Sequence, residues 1–229
     1  MTIKYHGTPV TPLVVLYELA GCHLCVSFAR PEQIGYAHTL AQSVMLDNGA
    51  FSAWRRGHEP DWLAYYAWAE DHCWPTDFAV IPDVIDGGPE ANDRLLDQWP
   101  LGYRGAPVWH LDEPIYRLLM LANGWPRICL GSAGAYAEIG TEAWERRMDE
   151  AFNALCRGSG RVPAWVHGLR MMACSGKRWP LASVDSTDIA RNHNRPQNGA
   201  ATMARRWDAM HCGVTWQQRP GQTDLLEDR

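Results

Sequence analysis

The sequence predicts an α/β fold, a compact (β/α)8 barrel of the TIM type, on three observations. Short apolar runs of strand length recur along the chain. Helix-length stretches alternate with them at nearly regular spacing, the pattern of a parallel sheet covered on both faces. The residues that end the apolar runs are polar, as expected at a barrel mouth, where catalytic groups stand at the C-terminal ends of strands. An open doubly wound sheet is the alternative.

Seven runs read as strands: 25–28, 44–46, 78–81, 107–111, 127–130, 165–169 and 181–184. Most are bounded by Gly, Pro, Asn or Asp, which punctuate strands. Helices are expected between them at 30–42, 61–73, 89–99, 113–123 and 141–156. The last opens Thr141-Glu-Ala-Trp, with acidic residues in its first turns, which suits the positive end of a helix dipole. An eighth strand, from either end of the chain, would close the barrel; no apolar run marks it. Residues 1–215 form one domain in this reading, and the polar segment 216–229 is a frayed tail.

The chain has 229 residues, of which 46% are hydrophobic and 21% charged, so it is an ordinary globular domain and not a disordered one. At this length about 70% of the unfolded surface can be buried without disulfide or metal staples. No apolar stretch approaches the roughly 20 residues of a membrane span, and no secretory leader is seen. Seven scattered cysteines then read as reduced thiols of a cytoplasmic protein. The net charge of −5 is unevenly placed: in 157–206 nine Lys/Arg face only Asp185 and Asp188. This basic island is an electrostatic argument for binding phosphates.

The chemistry lies in the residues at the strand ends. Val44-Met-Leu leads into Asp47-Asn-Gly-Ala-Phe51, Phe78-Ala-Val-Ile-Pro into Asp83, and Pro107-Val-Trp into His110. Ile128-Cys-Leu leads into Gly131-Ser132-Ala133-Gly134, Trp165-Val into His167-Gly168, and Ala182-Ser-Val into Asp185-Ser186. Two carboxylates across a pocket are the minimum equipment for displacement at an anomeric carbon, one as nucleophile and one as proton shuttle. Asp47 and Asp185 suit those roles. Alternatively, Asp47 makes only an Asx-turn before Gly49 and Asp185 only caps a helix.

Leu46-Asp47-Asn48-Gly49-Ala50-Phe51 resembles the Asp-Ser-Gly-Gly-Phe/Tyr-Gln signature of the tRNA-guanine transglycosylases. Val184-Asp185-Ser186 resembles their Phe-Asp-Ser/Cys nucleophile strand. With Cys-Val-Ser-Phe-Ala-Arg-Pro near the start, Ser-Val-Asp185-Ser-Thr-Asp-Ile-Ala-Arg-Asn192 is most similar to the short phage and bacterial members that insert deazapurines into DNA. The resemblance covers residues 25–195 and implies a base-exchange pentosyltransferase. It makes Asp185 the nucleophile at C1′, Asp47 the general acid/base and Asp83 the acceptor for the guanine N1/N2 edge. Gly131, Ser132 and Ala133 match the family's base-reading loop, Phe51 and the His167-Gly168 pair its stacking positions, and His110 a polar base contact. Arg191, His193 and Arg195 would hold phosphates flanking the target nucleotide.

The implied partners are duplex DNA with its target base flipped out and a free 7-deazaguanine base of the preQ0 type, with a homodimer or a strand-opening protein as further possibilities. No membrane partner is implied. The family's zinc cluster, Cys-x-Cys-x-x-Cys with a distant His, has no counterpart after Asp185, which favours DNA over tRNA. No cofactor is expected. Zinc at Cys22-His-Leu-Cys25 is the less favoured reading, since a CxxC without a second pair is weak evidence for a tetrahedral site. The same base exchange on tRNA is the runner-up reading, and a retaining glycosidase and a non-enzymatic nucleic-acid-binding barrel are the more distant rivals.

Overall fold

Successive side chains of a strand point to opposite faces, so a strand buried on both sides must satisfy two environments at once. In the computed structural model, which describes residues 1–219, nine parallel segments do so. They are β1 (Ile3–Gly7), β2 (His23–Ser27), β3 (Val44–Asp47), β4 (Phe78–Val80), β5 (Gly105–Ala106), β6 (Val108–His110), β7 (Arg127–Gly131), β8 (Trp165–Gly168) and β9 (Ser183–Ser186). Nine helices accompany them among the described residues. They are α1 (Leu13–Leu16), α2 (Ile34–Leu40), α3 (Ala50–Arg56), α4 (Trp62–His72), α5 (Gly88–Asp97), α6 (Ile115–Gly124), α7 (Glu142–Leu155), α8 (Asp188–Asn192) and α9 (Ala200–Asp208). No helix among the described residues is long and apolar enough to cross a membrane.

The strand order is β5-β4-β3-β2-β1-β9-β8-β7-β6. Its two ends, β5 and β6, are consecutive in the chain and parted only by Pro107. Proline has no N–H for a ladder, so the stave divides there: β5 pairs with β4 and β6 with β7. Nine segments thus make eight staves of a TIM-like barrel, and the sequence run 107–111 is the second half of one of them.

The missing eighth stave is β1. It carries Lys4 and His6 where its outer face would ordinarily be apolar, and both are buried, at 1% and 0% exposure. The Lys4 ammonium donates to the carbonyls of Thr2 and Met210. Lys4 thus draws part of its hydrogen bonding from Met210, more than 200 residues along, and the strand leaves no hydrophobic pattern to read.

Inside the barrel, Tyr5, Cys25, Met45, Phe78, Val80, Ala106, Val108 and Cys129 pack as a small core. Two larger apolar layers lie between staves and helices. All seven cysteines are free. The expected frayed tail needs correcting at its start: Trp216 is buried, and its indole donates to Asn153 Oδ1 at 2.8 Å. The rest of that segment, 220–229, lies outside the described residues.

Close packing fixes one glycine on the divided stave. A Cβ on Gly105 would collide with the Trp99 indole nitrogen and stand 2.7 Å from Ile81. Gly105→Ala is expected to cost about 3 kcal/mol in urea unfolding, the upper range for overpacking. Gly124→Ala, with open space around it, should be neutral or stabilising by up to about 1 kcal/mol.

Candidate active site

The register places one inward residue of most staves in the top layer. Ser27 pairs with Asp47, and His110 with Gly131. Asp185 sits opposite Tyr5 of β1, an inward core residue. These positions open on a cavity of about 610 Å³ at the strands' C-terminal end. Asp47, Phe51, Asp83, His110, Gly131, Ser132, Asp185 and Arg191 all line it. The sequence could not show that Asp47 and Asp185 meet; the barrel puts both on one cavity, three staves apart.

The two carboxylates have different surroundings. Burial pushes the Asp47 carboxyl up to about 6, helped by the charges of Asp185 and Asp83 and opposed by hydrogen bonds from Ser27 and the Gly49 amide. Asp47 thus makes the expected turn contact with Gly49 and lines the cavity as well. Gly49 has φ +76 and forms the cap of α3, with its Cβ position 3.1 Å from the Ala29 nitrogen, so a side chain there is strained twice over.

Asp185 receives both its hydrogen bonds on Oδ1, from the Arg170 amide at 2.7 Å and from His167 Nε2 at 3.2 Å. Among the described residues Oδ2 takes none. It does not cap a helix: α8 begins beyond it, where Ser186 Oγ accepts the Asp188 N–H. The tautomer of His167 is set by its neighbours. The Trp165 indole can only donate, and it donates to Ser183 Oγ at 2.8 Å. Ser183 Oγ also lies 2.8 Å from His167 Nδ1, and because the Asp185 carboxylate can only accept, Nε2 carries the hydrogen that faces it.

Several expected roles change. His167 is fully buried and does not line the cavity, so it orients Asp185 and presents no stacking face. Gly168 is also behind the wall, its Cβ position 2.8 Å from Met171 sulfur. Ala133 lines an adjoining cavity of about 530 Å³. Phe51 lines both cavities, but the Arg170 guanidinium covers one face of its ring at 3.9 Å from the centroid. Arg170 is one of two non-glycine residues with positive φ, +59, among the described residues. That backbone turns its amide onto Asp185 and its side chain over Phe51.

Asp83 and His110 belong to a buried relay. Asp83 accepts from Asn48 Nδ2 at 2.7 Å on Oδ1 and lies 2.9 Å from His110 Nε2 on Oδ2. Behind His110, Glu113 accepts from Arg117 at 2.6 Å, and Arg117 also binds Asp93. Burial alone would lower the His110 pKa, but the hydrogen bonds and charges of Asp83 and Glu113 outweigh it and raise it to about 9. Asn48 also caps the start of α3 by accepting from the Ala50 N–H, so one amide fixes both the turn and Asp83.

The phosphate-binding expectation is redistributed. Of the basic island, Arg170 and Arg191 line the cavity. Arg178 is spent on Asp149 and Glu145. His193 bonds the Ile189 carbonyl through Nδ1, and neither it nor Arg195 lines the cavity. Arg30 and Arg55, from the acidic part of the chain, complete a rim of four arginines. No charge count could find them, because their convergence depends on segments that follow different staves. Arg170 and Asn48 were also missed; the Asx-turn pattern of Asn48 before Gly49 was the available signal.

No protein-family model matches the chain, and no curated protein matches it in sequence.

Two groups should make stability depend on pH. Asp47 binds its proton more tightly folded than unfolded, so its stability contribution is full below about pH 4 and is lost as pH rises through about 6. Asp47→Asn should therefore unfold at higher urea than wild type near pH 8, by about 2 kcal/mol, with the gain vanishing near pH 4. Protonated His110 contributes fully below about pH 6.5 and loses its contribution as pH rises through about 9. His110→Gln should cost about 3 kcal/mol near pH 7 by leaving buried Asp83 without its cation and Glu113 with Arg117 alone. The gap to wild type should close above about pH 9.5, as read by paired denaturation curves.

Proposed function

We propose that this protein exchanges guanine in DNA for a 7-deazaguanine base through a covalent glycosyl-aspartate intermediate. The observation that carries the reading is the meeting of Asp47 and Asp185 on one cavity with Phe51 and Asp83, under a rim of arginines. The rim supports a polymer of phosphates over a soluble sugar, and a flipped nucleotide needs such anchoring to offset the few kcal/mol of unstacking.

In this mechanism Asp185 Oδ2 attacks C1′ while the C1′–N9 bond breaks and Asp47 protonates the departing guanine. The deazapurine then enters, gives its N9 proton to Asp47 and attacks C1′, releasing the Asp185 carboxylate. Two displacements give net retention. A carboxyl near 6 suits a group that must both give and take a proton. His167 and the Arg170 amide hold Oδ1, so the nucleophile keeps one orientation through both steps. Asp83 retains a lone pair on each oxygen for the N1–H and N2–H edge of guanine. Arg170 must leave the Phe51 ring for a base to stack on that face.

The test supplies duplex DNA, bulk tRNA and preQ0 together, then digests the polymers and weighs the nucleosides. Deazaguanine deoxynucleoside made by wild type and not by Asp185→Asn is the expected result. The ribonucleoside alone would move the reading to RNA. Guanine release without incorporation would make the protein a hydrolase, and no change in any polymer would overturn base exchange.

A further inference from the structure

We propose that His6, Cys22 and Asp208 form a binding site for one thiophilic divalent cation of the zinc class, which pins α9 to the outer wall of the barrel. His6 projects outward from β1, on the face opposite Tyr5 and the interior. Cys22 stands immediately before β2, and Asp208 ends α9. One imidazole nitrogen, one sulfur and one carboxylate oxygen from these residues all lie within 4.8 Å of one another. His6 Nε2 is 3.3 Å from Asp208 Oδ1, and Cys22 Sγ is 4.0 Å from Asp208 Oδ2. Zinc bonds of about 2.0–2.3 Å at tetrahedral angles hold ligand atoms about 3.3–3.6 Å apart. The first distance already meets this; Cys22 stands against the other oxygen of Asp208, so its sulfur must close on the cation through a small side-chain rotation.

A second observation points the same way. His6 is fully buried, yet neither ring nitrogen makes a hydrogen bond among the described residues. Buried polar atoms are seldom left so, and a cation on Nε2 would occupy one of them. A thiolate and a carboxylate would balance a 2+ charge, and the Asp208 side chain is 43% exposed, which leaves the fourth position open to water. The neighbouring Lys4 ammonium is engaged by the Thr2 and Met210 carbonyls.

The donor set is not the one that spacing suggests. Cys25 faces the interior cavity, so the Cys22-x-x-Cys25 pair is split between the two sides of β2. The site would act on the fold. Next to Asp208, Trp207 bonds Asp188 of α8, the helix that carries Arg191 of the cavity rim.

The experiment uses the full chain without a histidine tag, dialysed against zinc and assayed for metal by mass spectrometry, with cobalt as a spectroscopic probe. One equivalent of zinc is expected, with a thermal midpoint raised by zinc and lowered by chelator. Cobalt should give a thiolate charge-transfer band. Cys22→Ser should lose the band, and Asp208→Asn should weaken binding by more than the roughly 10–100-fold that an outer-shell change costs. Cys25→Ala should bind as wild type does. Both ligand variants are milder than any change at buried His6. No binding at micromolar zinc, binding unchanged in Cys22→Ser, or binding lost in Cys25→Ala would each overturn the proposal.

Discussion

The period-two register of a closed parallel barrel is the constraint on which the rest of this molecule depends. Once Tyr5, Cys25 and Met45 face inward, the next inward positions along the same or neighbouring staves are Ser27, Asp47 and Asp185. Polar groups in that layer need partners or access to water, and an open cavity provides the second. A slip of one residue in β3 or β9 would turn its carboxylate outward into an apolar layer, so stability and site geometry are enforced by the same register.

Each carboxylate is then given its character by what surrounds it. Asp47 is enclosed and sees two other carboxylates, so its proton is held more tightly. Asp185 is held through one oxygen by the Arg170 amide and by a histidine whose other nitrogen is fixed on Ser183, itself bonded by the Trp165 indole. On the other side of the mouth, the relay from Arg117 through Glu113 and His110 fixes Asp83. Buried charges of this kind are costly when any member is removed, which ties the mouth's electrostatics to folding.

Much of this was legible in the sequence. The seven apolar runs and their polar endings identified the barrel and six of the residues that share its cavity besides Asp47 and Asp185: Phe51, Asp83, His110, Gly131, Ser132 and Arg191. The failures have physical causes. On β1 the outward residues are Lys4, which donates to the Met210 carbonyl near the far end of the described chain, and His6, which faces Asp208 of α9, so the strand carries no apolar signature. His167 has the residue type of a ligand-facing group but sits one step below the mouth.

By itself the sequence determined what is periodic or local: strands, most helices, turn glycines, and which residue types end each stave. Only the tertiary structure decided which of those ends meet. Arg30, Arg55, Arg170 and Arg191 come from the segments that follow four different staves, two of them helical, and the Arg170 guanidinium reaches Phe51 from a stave far along the chain. A side chain's partners across a barrel depend on closure and shear, and no local pattern encodes those.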